Sequence, residues 1–160
     1  MKRKYYWIIG IILGVIVIIL AASYTRIITG STKTLGENKI NFYDPHLQAK
    51  EFITYNSMAL TPAQEKIKNE ALSTIPAPCC SDYSISTCCC PCNLAKSVWG
   101  LSNFLIAELN YSNEEVKSAV LEWIHLTNKD GYAGNACHRG RCNLPFKEDG
   151  CGGMDERRFF

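Results

Sequence analysis

Apolar side chains recur every three or four positions through the middle of the chain. The stripe consists of Leu94, Val98, Leu101, Leu105 and Leu109. This spacing places the five side chains on one face of a helix, so it predicts an amphipathic helix that buries that face. By helix propensity, Gly100 is the one weak point within it.

The following helix has the clearest start signal in the sequence. Ser112 and Glu115 have the spacing of a capping box. The apolar face that follows consists of Val116, Ala119, Val120, Trp123 and Ile124. Because only Asn110 and Tyr111 precede this start, we expect the two helices to pack as an antiparallel pair.

Two more helices are predicted upstream. Thr61, Pro62 and Gln64 combine an N-cap hydroxyl, a proline at the first helical position and a capping-box glutamine. This helix should run to about Ser73, because prolines follow at positions 76 and 78. The pair Asp44-Pro45 offers a similar start, although the apolar spacing after it fits no single period.

The N-terminal segment has a different pattern. Met1–Lys4 is basic, and the 18 residues Tyr5–Ala22 carry no charge and are rich in isoleucine, leucine and valine. This length suits a short membrane-spanning helix, with signal-peptide cleavage after the small residues at 21–23 as the alternative. The basic flank predicts a single-pass anchor in the cytoplasmic membrane with the rest of the chain outside, as in a periplasmic domain.

The sequence therefore divides into four parts. Residues 1–24 form the membrane anchor or an uncleaved signal, and 25–43 form a polar linker. Residues 44–127 form a helical, Cys-rich domain, and 128–160 form a Gly- and Cys-rich tail. The predicted fold class is mainly α, with one transmembrane helix and a small, loop-rich extracytoplasmic domain.

Charge and motifs exclude several functions. The formal net charge is +2, but without Lys2, Arg3 and Lys4 only 14 of the 17 basic side chains remain against 15 acidic ones. A nearly neutral domain lacks the basic surface that nucleic-acid binding requires. The sequence has no Walker motif, dinucleotide-binding glycine loop, GxSxG or HExxH motif, which favours a binding role over an enzymatic one.

Six of the nine cysteines lie in one short loop: Cys79, Cys80, Cys88, Cys89, Cys90 and Cys92. Packing does not explain so many thiols, because other small apolar residues would fill the space. Neighbouring cysteines rarely bridge each other, and only three cysteines lie outside the loop. Some of the six must therefore pair within the loop, bind a metal or stay as thiols.

A soft-metal site is the principal hypothesis for these six cysteines. Cys89 to Cys92 is a CxxC step and Cys88 to Cys90 a CxC step, and thiolates at such spacing bind Cu, Zn or an iron–sulfur cluster. Two alternatives stay open. Disulfides are common in exported domains, and a CxPC step at a helix N-terminus favours thiol–disulfide exchange. A thioredoxin fold is excluded, because the polar residues 81–87 cannot form its buried strand.

The tail holds a second candidate set. Cys137, His138, Cys142 and Cys151 could form a second, zinc-like site or disulfides, since imidazole and thiolate together suit zinc.

The cysteine loop, with a proline-terminated helix before it and an amphipathic helix after it, resembles exported bacterial domains named for a PCYCGC motif. The resemblance covers roughly Leu72 to Leu109, with Cys-Cys-Cys-Pro-Cys where that family has Cys-Tyr-Cys-Gly-Cys, and without its Gly-His. It implies an exported, helical, Cys-rich, metal-linked protein and assigns no role to any residue.

These observations predict a membrane-anchored, extracytoplasmic protein that binds a soft metal through thiolates. The alternative is a disulfide-stabilised accessory subunit that interacts with a membrane-protein partner. In both cases the chain would contact the membrane through residues 5–22.

Overall fold

The computed structural model describes residues 39–77, 80–88, 90–127, 143–148 and 150–156. From Ile40 onward, these residues form one compact unit. In this part of the chain we find no helix with the length and apolar character that crossing a bilayer requires. The predicted anchor, residues 5–22, lies outside the described residues.

Four α-helices make up most of the described structure. They are α1 (Pro45–Thr54), α2 (Pro62–Ser73), α3 (Asn93–Ala107) and α4 (Asn113–Thr127). The prediction of a mainly helical domain is confirmed.

Helices α1, α2 and α4 start where the sequence predicts, because their caps are local. The Asp44 carboxylate accepts hydrogen bonds from the amides of His46 and Leu47 at 2.9 and 3.2 Å. Thr61 and Gln64 form a reciprocal capping box. Each cap satisfies amides that have no partner inside the first turn of a helix.

A short hairpin between α2 and α3 was not predicted. Strand β1 (Pro76–Ala77) pairs antiparallel with strand β2 (Cys80–Ser84), with an irregularity in the register between Pro76 and Ala77. Asp82 and Tyr83 are exposed, so β2 is not the buried strand that a thioredoxin fold requires. Single 3₁₀ turns occupy Tyr55–Ser57, Ile85–Thr87 and Phe146–Glu148.

Helix α3 lies at the centre and contacts the other three helices. Trp123 of α4 is completely buried, as its position on the apolar face predicts. Its ring packs edge-on against Phe52 at 4.9 Å between centroids, and its Nε1–H donates to Ser97 Oγ of α3 at 3.0 Å. The indole thus fills the core while its polar atom stays hydrogen-bonded.

Gly100 permits the closest approach between two helices. A Cβ atom built at Gly100 would lie 1.7 Å from the carbonyl oxygen of Phe52 in α1. Nearby, Asn103 Nδ2 donates to the carbonyls of Tyr55 and Met58 at 3.1 and 3.3 Å. Gly100 has a low helix propensity, but the close packing of α1 against α3 requires a residue without a side chain at this position.

The compact unit begins at Ile40. Ile40 and Phe42, assigned to the linker, pack against the core. The Phe42 ring lies 5.5 Å from that of Trp123, and the Ile40 amide donates to Tyr111 Oη at 3.2 Å. These isolated apolar residues have no period of their own, so only tertiary contacts reveal that they are part of the domain.

Candidate thiol site at the start of helix α3

The end of the cysteine loop is shaped by the carbonyl of Cys90. This oxygen accepts the Cys92 amide at 2.7 Å across Pro91, and it accepts the Cys88 thiol at 3.4 Å. A bond between residues two apart, across a proline of fixed φ, makes a tight turn. Cys88 and Cys92 are buried, whereas Cys90 is partly exposed.

The loop is also fixed at its base. Ile85 is completely buried, its amide donates to the Ile75 carbonyl at 2.8 Å, and its own carbonyl accepts Trp99 Nε1–H at 2.8 Å. Trp99 belongs to α3, so the loop is held against the helix that begins at its other end.

The first turn of α3 is capped by a distant part of the chain. The Asn93 amide donates to the Gly153 carbonyl at 2.7 Å, and the Leu94 amide donates to the Cys151 carbonyl at 3.1 Å. These amides have no acceptor within the helix, so the C-terminal segment supplies what a capping side chain supplies elsewhere. We call residues 150–156 the clamp segment.

Side chains of α3 also hold the clamp segment. Asn93, which is completely buried, donates from Nδ2 to the carbonyls of Gly152 and Asp155 at 2.6 and 3.1 Å. Lys96 Nζ lies 2.8 Å from Glu156 Oε1 and forms an ion pair that is partly exposed. Most of the stabilisation should come from the buried Asn93 bonds, since exposed ion pairs contribute little.

Glycines allow the clamp segment to lie close to the first turn of α3 and to Leu144. Gly152 and Gly153 have φ angles of +74° and +67°, which side-chain-bearing residues rarely adopt. A Cβ atom at Gly150 would lie 1.9 Å from the Leu144 carbonyl oxygen. Phe146 packs in the core beside them, so part of the Gly- and Cys-rich tail is tightly packed.

This docking brings Cys151 against Cys92. Cys151 is completely buried and Cys92 is 4 % exposed. The two side chains are hydrogen-bonded, and this bond is the largest influence that lowers the pKa of Cys92 to about 7 from its ordinary value of 9.0. Burial of the Cys92 thiol raises its pKa, whereas hydrogen bonds from the backbone amides of Ala95 and Leu94 lower it further.

The first turn of α3 has the electrostatic character that favours a thiolate. Cys92 is the N-cap residue, although its sulfur makes no capping hydrogen bond of regular geometry. The nearby amides still present their positive ends to the sulfur, as does the whole helix dipole. Cys92 can therefore lose its proton near neutral pH and act as a metal ligand or a nucleophile.

The structure places Cys92 of the loop set beside Cys151 of the tail set. The described cysteine side chains are four in number. Cys88, Cys90 and Cys92 come from the loop set, and Cys151 comes from the tail set. Of Cys80, only the backbone is described, in β2. Residues 79, 89, 137, 138 and 142 lie outside the described residues.

Among the side chains that the structure describes, no three of the His, Cys, Asp and Glu type lie close enough together to hold a metal ion. The six-cysteine site and the second site of Cys137, His138, Cys142 and Cys151 therefore stay predictions.

Sequence reasoning missed Asn93 and the clamp segment. The available signal was the run Gly150-Cys151-Gly152-Gly153, because glycines around one cysteine indicate a backbone that comes close to another element.

Comparison with known proteins finds no match to this chain among protein-family models, curated proteins or solved structures. Function must therefore be inferred from the chemistry of the described residues.

Proposed function

We propose that this protein binds a soft metal ion through thiolates and that Cys92 and Cys151 are the central pair of ligands. The observation that carries the proposal is that these two buried side chains meet at the N-terminus of α3, where the Leu94 amide donates to the Cys151 carbonyl at 3.1 Å. Two neighbouring thiolates can coordinate one soft metal ion.

The chemistry of the pair favours a soft ion. Thiolate sulfur selects Cu(I), Zn(II) or iron–sulfur clusters over hard cations such as Mg²⁺. Cu(I) accepts two sulfur ligands, and the described pair supplies two. Zn(II) and iron–sulfur clusters take four ligands, so either would need further cysteines of the loop.

Burial of the pair also suits metal retention. Cys92 and Cys151 are screened from water by the clamp segment, which is fixed to α3 by Asn93. Because the ligands come from two distant parts of the sequence, a bound ion would add its binding free energy to the docking of the clamp segment.

We further propose that the domain acts outside the cytoplasmic membrane, anchored by residues 5–22. The sequence supports this location through its basic flank and its uncharged 18-residue stretch. A membrane-anchored thiolate protein is suited to pass a soft metal to, or receive it from, a membrane-protein partner. The resemblance to PCYCGC-type exported domains is in keeping with this role.

Metal titration of the reduced, full-length protein tests the proposal. The protein is purified in mild detergent, reduced, freed of metal and titrated with Cu(I) against a chromogenic Cu(I) chelator. Zn(II) is tested separately. We expect stoichiometric binding that withstands the chelator. Either C92S or C151S should lower the affinity at least tenfold.

C137S is the matched control, because Cys137 belongs to the other part of the tail set. It should bind like the parent protein. If the parent protein binds none of these metals and carries disulfides at all but one cysteine, the alternative of a disulfide-stabilised accessory module replaces the proposal.

A further inference from the structure

We infer that Cys92 and Cys151 also form a reversible disulfide, which fastens the clamp segment covalently to the start of helix α3. This covalent site goes beyond metal binding and does not depend on it. It pairs two cysteines that are far apart in the sequence.

Proximity is the first argument for this bond. The Cys92 and Cys151 side chains are hydrogen-bonded to each other. The neighbouring backbones are joined as well, since the Leu94 amide donates to the Cys151 carbonyl at 3.1 Å. The two side chains are therefore neighbours, and neighbouring cysteines can form a disulfide with little backbone movement.

The second argument is that the clamp segment is attached to α3 by contacts that can open locally. Residues 150–153 of the clamp segment are buried, but the residues after them are held to α3 by hydrogen bonds and one partly exposed ion pair, Lys96 to Glu156. Such contacts open locally more easily than a packed helix does. A covalent link at Cys151 would keep the segment docked for as long as the disulfide stays oxidised.

A small-molecule disulfide such as oxidised glutathione is a sufficient oxidant. When the clamp segment lifts, the Cys92 thiolate attacks one sulfur of that disulfide, and one glutathione leaves as a thiolate that takes up a proton. Cys151 then loses its proton and attacks Cys92 Sγ of the mixed disulfide, which releases the second glutathione. Two electrons pass from the cysteine pair to glutathione.

The position at the helix N-terminus makes the bond reversible. Amides and the dipole of α3 stabilise the Cys92 thiolate, which is the leaving group when a second glutathione cleaves the mixed disulfide in the last step of reduction. A bond with such a leaving group is reduced more readily than one between two ordinary buried thiols. Oxidised protein would also lack both central metal ligands, and this consequence alone rests on the proposed function.

Disulfide mapping on the metal-free, full-length protein tests the inference. Samples are equilibrated in glutathione buffers of increasing oxidised fraction, quenched with acid, alkylated and digested with trypsin. The six loop cysteines fall in one peptide, residues 69–96, and Cys151 falls in another, residues 148–157. Mass spectrometry quantifies the linked pair, and fragmentation identifies the cysteine joined to Cys151.

We expect a cross-link between Cys92 and Cys151 that rises with the oxidised fraction and disappears again on reduction. Oxidation should raise the Tm by about 10 °C or more, because the bond closes a long loop. C151S should abolish both the cross-link and the rise in Tm. C90S, which changes a cysteine in the same loop as Cys92, should keep both.

Two results would overturn the inference. One is that Cys151 is still alkylated in the most oxidising buffer. The other is that Cys151 is joined to a different cysteine in the parent protein. Both are read from the parent protein, so they hold even if a variant fails to fold. Metal titration is done separately, on reduced protein. A protein that binds no metal could therefore still form the disulfide between Cys92 and Cys151.

Discussion

The side chain of Asn93 donates a hydrogen bond to the carbonyl of Gly152 at 2.6 Å and thereby joins the first turn of α3 to the clamp segment. A second bond from the same nitrogen reaches the Asp155 carbonyl at 3.1 Å. Asn93 is completely buried, so no water can replace these bonds without the segment opening.

Asn93→Ala should therefore release the clamp segment. We expect a loss of about 1–3 kcal/mol in the free energy of unfolding, since one buried and one partly buried carbonyl lose their donor. Hydrogen exchange should also speed up at the Gly152 amide, which donates to Leu144. Urea titration and exchange mass spectrometry measure the two effects.

Asn103→Ala is the matched control, because Asn103 is also buried in α3 and donates to several carbonyls. It should cost a similar free energy while leaving exchange at Gly152 unchanged. Equal acceleration of Gly152 exchange in both variants would show that Asn93 has no particular role in holding the segment.

Much of the fold could be predicted from sequence because its signals are local. Asp44, Thr61 and Ser112 cap their helices as predicted, and the apolar faces beginning at Leu94 and Val116 are buried. Capping depends on residues within one turn, and an apolar face depends on period alone, so neither requires knowledge of distant residues.

The contact of Cys151 with Cys92 could not be predicted in this way. It depends on a loop-rich segment that folds back across the whole domain, and no periodicity specifies such a path. The same reason explains why Cys151 was grouped with Cys137 and Cys142, its neighbours in sequence. The hairpin was missed because β2 is polar and exposed and therefore has no apolar alternation.

Trp123→Ala should cost about 3–5 kcal/mol, because the ring is completely buried and its removal leaves a large cavity. Trp123→Phe should cost less. It keeps an aromatic ring near Phe52 but leaves the Ser97 hydroxyl without the indole donor, which lies at 3.0 Å. Chemical denaturation checks the order of the two variants. Equal stability of Trp123→Ala and the parent protein would contradict the core described here.

Gly100→Ala should destabilise the protein by roughly 2–3 kcal/mol or more, although alanine is the better helix former by about 1 kcal/mol. The new methyl group would collide with the Phe52 backbone and push α1 away from α3. Ser118→Ala is the control, since this exposed position of α4 gains helix propensity without a collision. A Gly100→Ala protein as stable as the parent would show that the helices are not in close contact there.

Cys92 should titrate with a midpoint near pH 7 in the reduced, metal-free protein. The ¹³Cβ chemical shift, assigned by its loss in C92S, measures this midpoint. Cys151→Ala removes the hydrogen bond that lowers the pKa most, so the midpoint should rise toward 9. The same titration in C90S should resemble that of the parent protein.

The lowered pKa also predicts how stability changes with pH. Between pH 7 and 9, Cys92 has lost its proton in the folded protein but keeps it in the unfolded chain. The free energy of unfolding should therefore rise by up to roughly 2–3 kcal/mol across this interval, and this contribution should be lost as the pH falls through 7. C92S should lack this rise in the free energy of unfolding. An equal rise in C92S would show that other titratable groups cause it.

The central claim is that Cys92 and Cys151 bind the same ion. NMR of the reduced, full-length protein loaded with ¹¹³Cd(II), a soft probe ion, tests it most directly, because scalar coupling from cadmium to cysteine Hβ protons identifies each sulfur ligand. We predict correlations from one cadmium resonance to the Hβ protons of both Cys92 and Cys151. A cadmium resonance correlated with loop cysteines alone, or with Cys151 and Cys92 on two separate ions, would contradict the claim.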